Sequence, residues 1–430
     1  MLQRRLTLPH AIAIGLGSMI GAGVFTAIGL AAALTGGHPG LLFAALGLAV
    51  LTALCNALST AQLATVHPES GGTYVYGRRQ LHPLAGFLAG WGFVTGKTAS
   101  VAAMATTVGL YLFPDQPLAA RLAGVAAVVV LTGVAMAGVT RTAQATMAIL
   151  VPVVAVLALT TAAGLALGDR GAGDVAGGLG DAPLAGVLMG AGVLFFAFAG
   201  YARVATMGEE VIDPRRTIPR AILIALGLTV GLYTLVTLGL LAALGPRGLA
   251  LSPAPVREAL EVTLGSGWGW LALVAAGLAS AGAMLNLLTG ISRTALAMAR
   301  ESDLPRPLAR VHERTGTPWV GQLAVAVAVI LLVLTTDILT VVGFSSFGVL
   351  VYYAVANLAA LTLRGGEDGR DAALPRPLRV PRAVNGLGLV LCLVLAFTLP
   401  PLSVVAMLAV FLVGVGGRAF VLAGRDRPPR

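Results

Sequence analysis

Residues 15–25 read GLGSMIGAGVF, so four glycines fall within nine positions of an apolar stretch. Each glycine inside a helix costs about 1 kcal/mol relative to alanine, and a continuous helix is therefore poorly encoded here. The surrounding residues 11–35 are long enough to cross a bilayer, which takes about 20 residues. The sequence predicts a membrane-spanning helix that is broken near its middle. For one glycine-rich span taken alone, close packing of neighbouring helices is the alternative explanation.

Apolar stretches of similar length recur throughout the 430-residue chain. Hydrophobic residues make up 57% of the chain and charged residues 11%, whereas about 25% of the residues of a soluble protein are charged. The stretches are continuous, and a transmembrane β-barrel would instead alternate in polarity. We therefore predict an all-α polytopic membrane protein. Its twelve candidate transmembrane helices lie near residues 11–35, 40–66, 81–113, 119–140, 143–167, 182–207, 220–245, 263–299, 319–336, 338–363, 383–399 and 400–423.

Most of the 28 basic residues lie in loops on the same side as the N-terminus. Loops rich in lysine and arginine stay in the cytoplasm, so we expect a multi-pass protein of the plasma (inner) membrane with both termini cytoplasmic. Arginine far outnumbers lysine, which suggests a bacterial source. Because the basic residues are dispersed between spans and not clustered on one soluble face, no nucleic acid partner is expected. The lipid bilayer is the expected surrounding.

The sixth candidate span contains a second glycine-bearing interruption. Residues 190–203 read GAGVLFFAFAGYAR, with a glycine near mid-span and an arginine soon after. Two interrupted spans that are five apart indicate an inverted repeat of five helices. The N-terminus of a half-helix offers N–H groups to an anion, and free carbonyls at a C-terminus accept hydrogen bonds from a cation. A substrate with both charges, such as an amino acid, would satisfy both breaks.

Several motifs together resemble one transporter family. They are GSMIGAGVF at 17–25, PESGGTYVY at 68–76, FFAFAGY at 195–201, GEEVIDPRRTIPRA at 208–221 and SRTALAMAR at 292–300. In order and spacing they resemble the amino acid–polyamine–organocation (APC) superfamily. The resemblance implies a leucine-transporter-type 5+5 inverted repeat with broken helices 1 and 6. It also implies one transmembrane transporter domain over 1–430, with repeats near 8–167 and 182–363 and additional helices near 383–423.

The function implied by the resemblance is secondary active transport of amino acids by alternating access, either proton-coupled or sodium-independent. An amino acid or amine exchanger is the alternative, and a non-transporting membrane receptor or a channel is a further one. The chain contains neither His-Glu-x-x-His nor Gly-x-Ser-x-Gly, which are signatures of metal and serine hydrolases. No enzyme activity, cofactor or metal is therefore expected. The expected partners are a small amino acid and, where transport is proton-coupled, protons.

The resemblance also implies the substrate-binding positions. Backbone N–H groups in the first break would meet the substrate carboxylate, and backbone carbonyls in the second break would meet its ammonium group. Aromatic and hydroxyl side chains of spans 6 and 10 would complete the site, although helix packing or lipid contact remains the alternative role for each aromatic residue. These candidates are Ile20, Gly21, Ala22, Gly23, Phe196, Ala197, Phe198, Ala199, Tyr201, Phe344, Ser345 and Ser346.

Three departures from the family pattern limit what the resemblance implies. Ala202 stands where cationic amino acid transporters have an acidic residue, and Gln62 stands where the family commonly has glutamate. The fifth span has Pro152 and lacks the lysine of some proton-coupled relatives. The resemblance therefore does not imply a cationic substrate or the family's usual proton site for this chain.

Lys97, the only lysine of the chain, lies within the third span and is the candidate coupling residue. Lysine can release a proton, whereas arginine does not deprotonate in proteins. If Lys97 faces the first break, its ammonium group would occupy the place that sodium takes in sodium-coupled relatives. Two alternatives remain: a fixed ammonium bound to carbonyls of spans 1 and 8, and a side chain that extends outward to the headgroups.

The other charged candidates belong to the transport pathway or its cytoplasmic gate. Arg203 follows the second break, where an unpaired arginine is costly, and we expect it to pair with an acid or a carbonyl on the pathway. Extension to the inner headgroups is the alternative. Glu209 and Glu210 end the sixth span as candidate gate residues or as structural ion-pair partners. Their candidate partners are Arg78, Arg79, Arg293 and Arg300.

Overall fold

The computed structural model describes residues 6–67, 71–137, 142–168, 184–205, 207, 211–313, 315–363 and 378–425. Within these ranges the regular structure is helical, and the only β-type pairing is an isolated bridge between Leu6 and Val211. The first half contains α1 (Leu8–Met19), α2 (Ile28–Leu34), α3 (Pro39–Val66), α4 (Thr73–Gln80), α5 (Pro83–Leu112), α6 (Pro117–Met136) and α7 (Thr142–Leu167). The second half contains α8 (Leu184–Phe198), α9 (Ala202–Ala205), α10 (Pro214–Leu251), α11 (Pro255–Leu264), α12 (Gly269–Arg300), α13 (Trp319–Thr335), α14 (Ile338–Thr362), α15 (Arg382–Phe397) and α16 (Pro401–Arg425).

In the described part of the chain, nine helical stretches are long and apolar enough to cross a membrane. They correspond to the predicted spans 1, 2, 4 to 8, 10 and 12. At two of the other predicted positions, α13 and α15 are shorter apolar helices. At the last, α5 has 30 residues but includes Lys97 and several polar side chains. The described part of the chain therefore forms an almost entirely helical membrane protein with nine candidate spans.

Proline begins many of these helices. It is the first residue of α3, α5, α6, α10, α11 and α16, a position where its missing N–H has no helical partner to lose. The sequence Asp213-Pro214 is typical of a helix start with an aspartate cap, and α10 does begin there, but without that cap. Asp213 has a left-handed backbone with φ 47° and makes no side-chain cap. Its carbonyl accepts hydrogen bonds from the N–H groups of Arg216 and Thr217 instead.

Glycines bring α5 and α14 into backbone contact at the centre of the bundle. A Cβ atom at Gly92 would lie 2.7 Å from the Gly348 carbonyl oxygen, and one at Gly96 would lie 3.0 Å from the Ser345 carbonyl oxygen. Small residues allow helices in membranes to approach this closely. Because α5 packs inside the bundle, Lys97, which follows Gly96, is only 4% exposed.

Two short amphipathic helices were not predicted from the sequence. The helix α4 buries Thr73, Tyr74, Tyr76 and Gly77, and it connects the second and third candidate spans. The helix α11 buries Pro255, Val256, Ala259 and Leu260, and it connects the seventh and eighth. With 8 and 10 residues, neither gives the long apolar signal that identifies a span. Each follows the second span of one predicted half.

Candidate substrate site

The first span breaks where its glycines predict. The helix α1 ends at Met19, and Ile20 leaves the helical conformation with φ −78° and ψ 82°. The N–H of Gly21 donates to the Met19 carbonyl over 2.9 Å, which forms a tight turn. Helical structure resumes as a π-helix over Gly23–Ala27 and continues into α2. The restarted helix has no preceding turn to accept its first N–H groups, and these are the groups of the predicted carboxylate site.

The second break has a different backbone. The helix α8 ends at Phe198, a 3-10 turn covers Ala199–Tyr201, and α9 follows without an unwound segment. A 3-10 turn has a tighter hydrogen-bonding pattern than an α-helix and often marks a functional hinge. The glycine-bearing sequence of span 6 therefore tightens the helix and does not unwind it.

The two breaks are packed against each other. A Cβ atom at Gly23 would lie 2.5 Å from Ala197 Cβ and 2.6 Å from its Cα. A Cβ atom at Gly200 would overlap the carbonyl group of Ser18. Real Cβ atoms do not approach other atoms so closely, so glycine is required at both positions for the observed contact. The structure thus brings the predicted carboxylate and ammonium segments together.

Tyr233 of α10 links the two breaks through one hydroxyl group. Its O–H lies 2.7 Å from the Met19 carbonyl oxygen and 3.3 Å from that of Ala197. The ring of Phe198 packs on the Tyr233 ring with centroids 5.2 Å apart. The sequence does not indicate a role for Tyr233, because a single tyrosine in an apolar span carries no positional signal.

Lys97 contacts the second break. Its Nζ donates a hydrogen bond of 3.0 Å to the carbonyl oxygen of Ala199. The predicted surroundings of Lys97 were the first break or carbonyls of spans 1 and 8, but its hydrogen-bond acceptor lies in span 6. Ala199 is itself a predicted partner of the substrate ammonium group. In this conformation, the Lys97 side chain occupies that carbonyl.

The tenth-span candidates lie at different distances from this centre. Ser345 is hydrogen-bonded to Ser100 with their hydroxyl oxygens 2.6 Å apart, and Ser100 is one helical turn beyond Lys97. Ser346 is fully buried, and its hydroxyl makes no hydrogen bond to a described residue. Phe344 is only partly buried and packs against the edge of the core. Among the described residues, no hydrogen bond connects Ser346 to either break.

The aromatic candidates of span 6 are buried. Tyr201 donates a 3.3 Å hydrogen bond to the Ala53 carbonyl, and its ring lies 5.1 Å from that of Tyr353. Phe196 is 7% exposed. These contacts are helix-packing contacts in this conformation, and lipid contact is thereby excluded for Tyr201.

A small apolar cavity lies beside the first break. It is lined by Gly17 and Ile20, by residues of α7, and by Ala279 and Gly282 of α12. Its volume of ≈ 10 Å³ is close to the space that one water molecule needs. An amino acid does not fit this cavity in the present conformation.

Arg203 faces protein. A Cβ atom at Gly290 of α12 would lie 3.5 Å from Arg203 Cδ and 3.7 Å from its Nε. The guanidinium stem therefore lies against α12. Glu209 and Glu210, the candidate gate residues, lie outside the described residues.

A buried carboxylate organises an ionic cluster at the helix ends near α4. Asp303 is 1% exposed and accepts hydrogen bonds from Tyr74 Oη at 2.8 Å, Arg78 Nη1 at 2.7 Å and Arg418 Nε at 2.6 Å. Glu301 adds a 3.1 Å ion pair to Arg78. Burial, together with the Asp303 carboxylate, raises the pKa of Tyr74 well above its usual range, so this hydroxyl remains a donor.

This cluster gives Arg78 two acidic partners that were not among its predicted gate pairings. Arg78 was a candidate partner of Glu209 and Glu210, but the acids that it contacts in the described residues are Glu301 and Asp303. Sequence analysis did not single out Asp303. Its spacing from Arg78 and Arg418 along the chain gives no indication that the three side chains meet.

The amino acid permease family model matches residues 6–415 of the chain. The chain belongs to the amino acid permease family. The resemblance to the APC superfamily is thereby confirmed. Both the family and its relatives support amino acid transport across a membrane as the function of this permease.

The permease is similar to transporters from bacteria, animals and plants. An uncharacterized transporter of Mycobacterium tuberculosis is 51% identical over 420 residues, which cover 96% of the permease and 90% of that protein. Asc-type amino acid transporter 1 of Mus musculus is 29% identical over a match that covers 96% of the permease and 80% of that protein. Cationic amino acid transporter 3, mitochondrial, of Arabidopsis thaliana is 28% identical over a match that covers 88% of the permease and 65% of that protein.

Proposed function

We propose that the permease is a secondary active transporter that carries amino acids across the bacterial plasma membrane by alternating access. The observation that supports this most directly is the contact between two interrupted spans at Gly23 and Ala197. The first break supplies N–H groups of Ala22 and Gly23 for a carboxylate. The second supplies carbonyls, among them Ala199, for an ammonium group.

The proposed architecture has twelve spans with an inverted repeat of five. It is supported by the two interruptions, which lie five candidate spans apart, and by the short helices α4 and α11. Each of these short helices follows the second span of its half. An inverted repeat relates corresponding elements of the two halves, so paired interruptions and paired short helices are the expected pattern.

In the proposed orientation both termini are cytoplasmic, and the Asp303 cluster closes the cytoplasmic side. A pathway that opens to that side must separate helix ends that Arg78, Asp303 and Arg418 now hold together. The proposal extends to Glu209, Glu210 and Arg203 as further residues of this side. The location of Arg203 against α12 supports its assignment to the pathway.

Lys97 is the proposed coupling residue, and it makes transport independent of sodium. Protonated Lys97 holds the Ala199 carbonyl against α5. The neutral amine is a weaker donor, so loss of the proton loosens the second break from α5. The protonation state of Lys97 thereby controls whether the segment that binds the substrate ammonium can move.

The substrate range is an open part of the proposal. The named relatives include an Asc-type and a cationic amino acid transporter, and Ala202 provides no acid for a cationic side chain. We propose amino acids without a positively charged side chain as the preferred class.

Uptake into proteoliposomes tests this function. The purified permease should accumulate at least one member of an amino acid panel in sodium-free buffer when an inward proton gradient is imposed. Absence of uptake across the panel under both proton and sodium gradients would contradict it. Uptake that needs no gradient but does need an amino acid inside the vesicle would identify an exchanger.

A further inference from the structure

A pocket lined by three arginines opens beside the beginning of α10. Arg215, Arg216 and Arg220 share it with Thr65 at the end of α3 and with Leu378, and its volume is ≈ 310 Å³. We refer to this site as the arginine pocket. It lies away from the two breaks, and the proposed transport cycle does not use it.

Among the described residues, few acidic side chains compensate the charges of the arginine pocket. Arg216 lies 3.8 Å from Asp213, and both side chains are at least half exposed. In the described ranges of the chain, Arg215 and Arg220 have no ion pair with an acidic residue. Guanidinium groups bind phosphate oxygens through paired hydrogen bonds. A pocket of this size and charge therefore fits a phosphate group.

An exposed apolar strip continues from Arg220 along the same face of α10. Ile224 is 41% exposed and Leu228 is 55% exposed. Gly227 lies between these two residues, and Gly231 lies one turn beyond Leu228. A Cβ atom at either glycine would meet no described atom within 4 Å. Residues three or four apart share a helix face. Packing against the described residues does not explain these two glycines, and because they lack side chains they leave a shallow groove.

We propose that the arginine pocket binds the phosphate of an anionic phospholipid, with one acyl chain along the groove at Gly227 and Gly231. Arg220 is the first residue of the predicted seventh span, which places its guanidinium group at headgroup depth. Basic pockets between transmembrane helices are suited to lipid phosphates. The groove continues from this depth toward the hydrocarbon core, where an acyl chain lies.

The arginines are tested by lipid retention. The full-length permease is purified from vesicles that contain equal amounts of phosphatidylglycerol and phosphatidylcholine, and native mass spectrometry counts the retained lipids. Wild type should retain phosphatidylglycerol in preference to phosphatidylcholine. In the double variant Arg215→Gln, Arg220→Gln, the ratio of the two retained lipids should be about tenfold lower. The control Arg306→Gln, Arg310→Gln removes the same charge from two exposed arginines outside the pocket. Unchanged retention in the first variant, or equal loss in the control, would overturn the proposal.

A variant in the groove distinguishes binding of a lipid from binding of free phosphate. Gly227→Leu should weaken retention of long-chain phosphatidylglycerol but leave the thermal stabilisation by dihexanoyl phosphatidylglycerol intact. Gly47→Leu, at another glycine with open space around it, is the matched control. Stabilisation by inorganic phosphate as strong as that by the short-chain lipid, or no effect of Gly227→Leu, would overturn the assignment to a lipid.

Discussion

The two interrupted spans of the permease meet, yet they differ in backbone and in charge. The first break leaves the helical conformation at Ile20 and restarts, and Tyr233, a neutral hydroxyl donor, contacts its Met19 carbonyl. The second stays helical through a 3-10 turn, and the ammonium group of Lys97 contacts its Ala199 carbonyl. Similar glycine-bearing sequences have therefore produced one break with an unwound backbone and one that the Lys97 side chain holds through a hydrogen bond.

The largest expected effect comes from separating the breaks. Gly23→Leu or Gly200→Leu would place a side chain where Ala197 or Ser18 now lies. We expect uptake to fall about 100-fold or more, because binding groups displaced by an ångström lose most of their effect. The measurement is proteoliposome uptake at matched protein content, with size-exclusion chromatography to verify folding.

Gly47→Leu is the control for these variants, because a side chain there meets open space. Its uptake should equal that of wild type. Normal uptake by Gly23→Leu would show that the contact between the breaks is not needed.

The next effect concerns the charge that distinguishes the second break. Lys97→Ala should lower proton-driven accumulation about tenfold, since an ammonium hydrogen bond contributes about 1.5–3 kcal/mol. Lys97→Arg keeps a positive charge but cannot release a proton, so it should also lose the response to a pH gradient. Uptake is measured in sodium-free proteoliposomes at several external pH values.

Two results would count against this role of Lys97. A proton-driven response that persists unchanged in Lys97→Ala would reject coupling through this residue. Strict sodium dependence of the wild type would reject its role as a substitute for a bound sodium ion.

A smaller effect is expected from the hydroxyl that touches both breaks. Tyr233→Phe removes hydrogen-bonding contacts to Met19 and Ala197 while it keeps the ring on Phe198. We expect about a fivefold loss of uptake rate, which corresponds to one hydrogen bond of about 1 kcal/mol. Tyr111→Phe is the matched control, since its hydroxyl contacts the Phe25 carbonyl and the Val256 backbone, and its recorded partners include neither Met19 nor Ala197. Equal losses in both variants would remove the special role of Tyr233.

The smallest effect is expected next to Lys97. Ser100→Ala breaks the hydrogen bond to Ser345 between α5 and α14, while the glycine contacts of these helices remain. We expect about a twofold change in uptake and a small decrease in melting temperature, because a buried hydrogen bond contributes about 1 kcal/mol. A loss as large as that of Lys97→Ala would indicate that the serine pair belongs to the substrate site.

The sequence predicted the position of the break in span 1, because glycine in a transmembrane stretch is a local signal, but in span 6 the helix tightens into a 3-10 turn and is not unwound. It did not predict that Ala199 would remain in a 3-10 turn, since that depends on the contact of Gly200 with Ser18. The sequence also showed that Lys97 lies in a span, but it did not predict that Lys97 donates to the Ala199 carbonyl. That partner depends on the rotation of α5, which packing at Gly92 and Gly96 determines.

Other parts of the site depend on contacts between distant segments. Tyr233 and Met19 are 214 residues apart, and Arg78 and Asp303 are 225 apart. No periodicity or short motif reports such pairs. The amphipathic helices α4 and α11 were missed for a different reason, because their length is below that of a span.

The Asp303 cluster also has a consequence for biosynthesis. Its arginine on α16 is incorporated 115 residues after Asp303 itself, when nearly all of the described chain has been made. Until then, only Tyr74 and Arg78 are available to this buried carboxylate among its observed partners. The cluster is therefore completed last. Most of the surface of α16 is exposed, yet this helix supplies the second arginine that the Asp303 carboxylate needs.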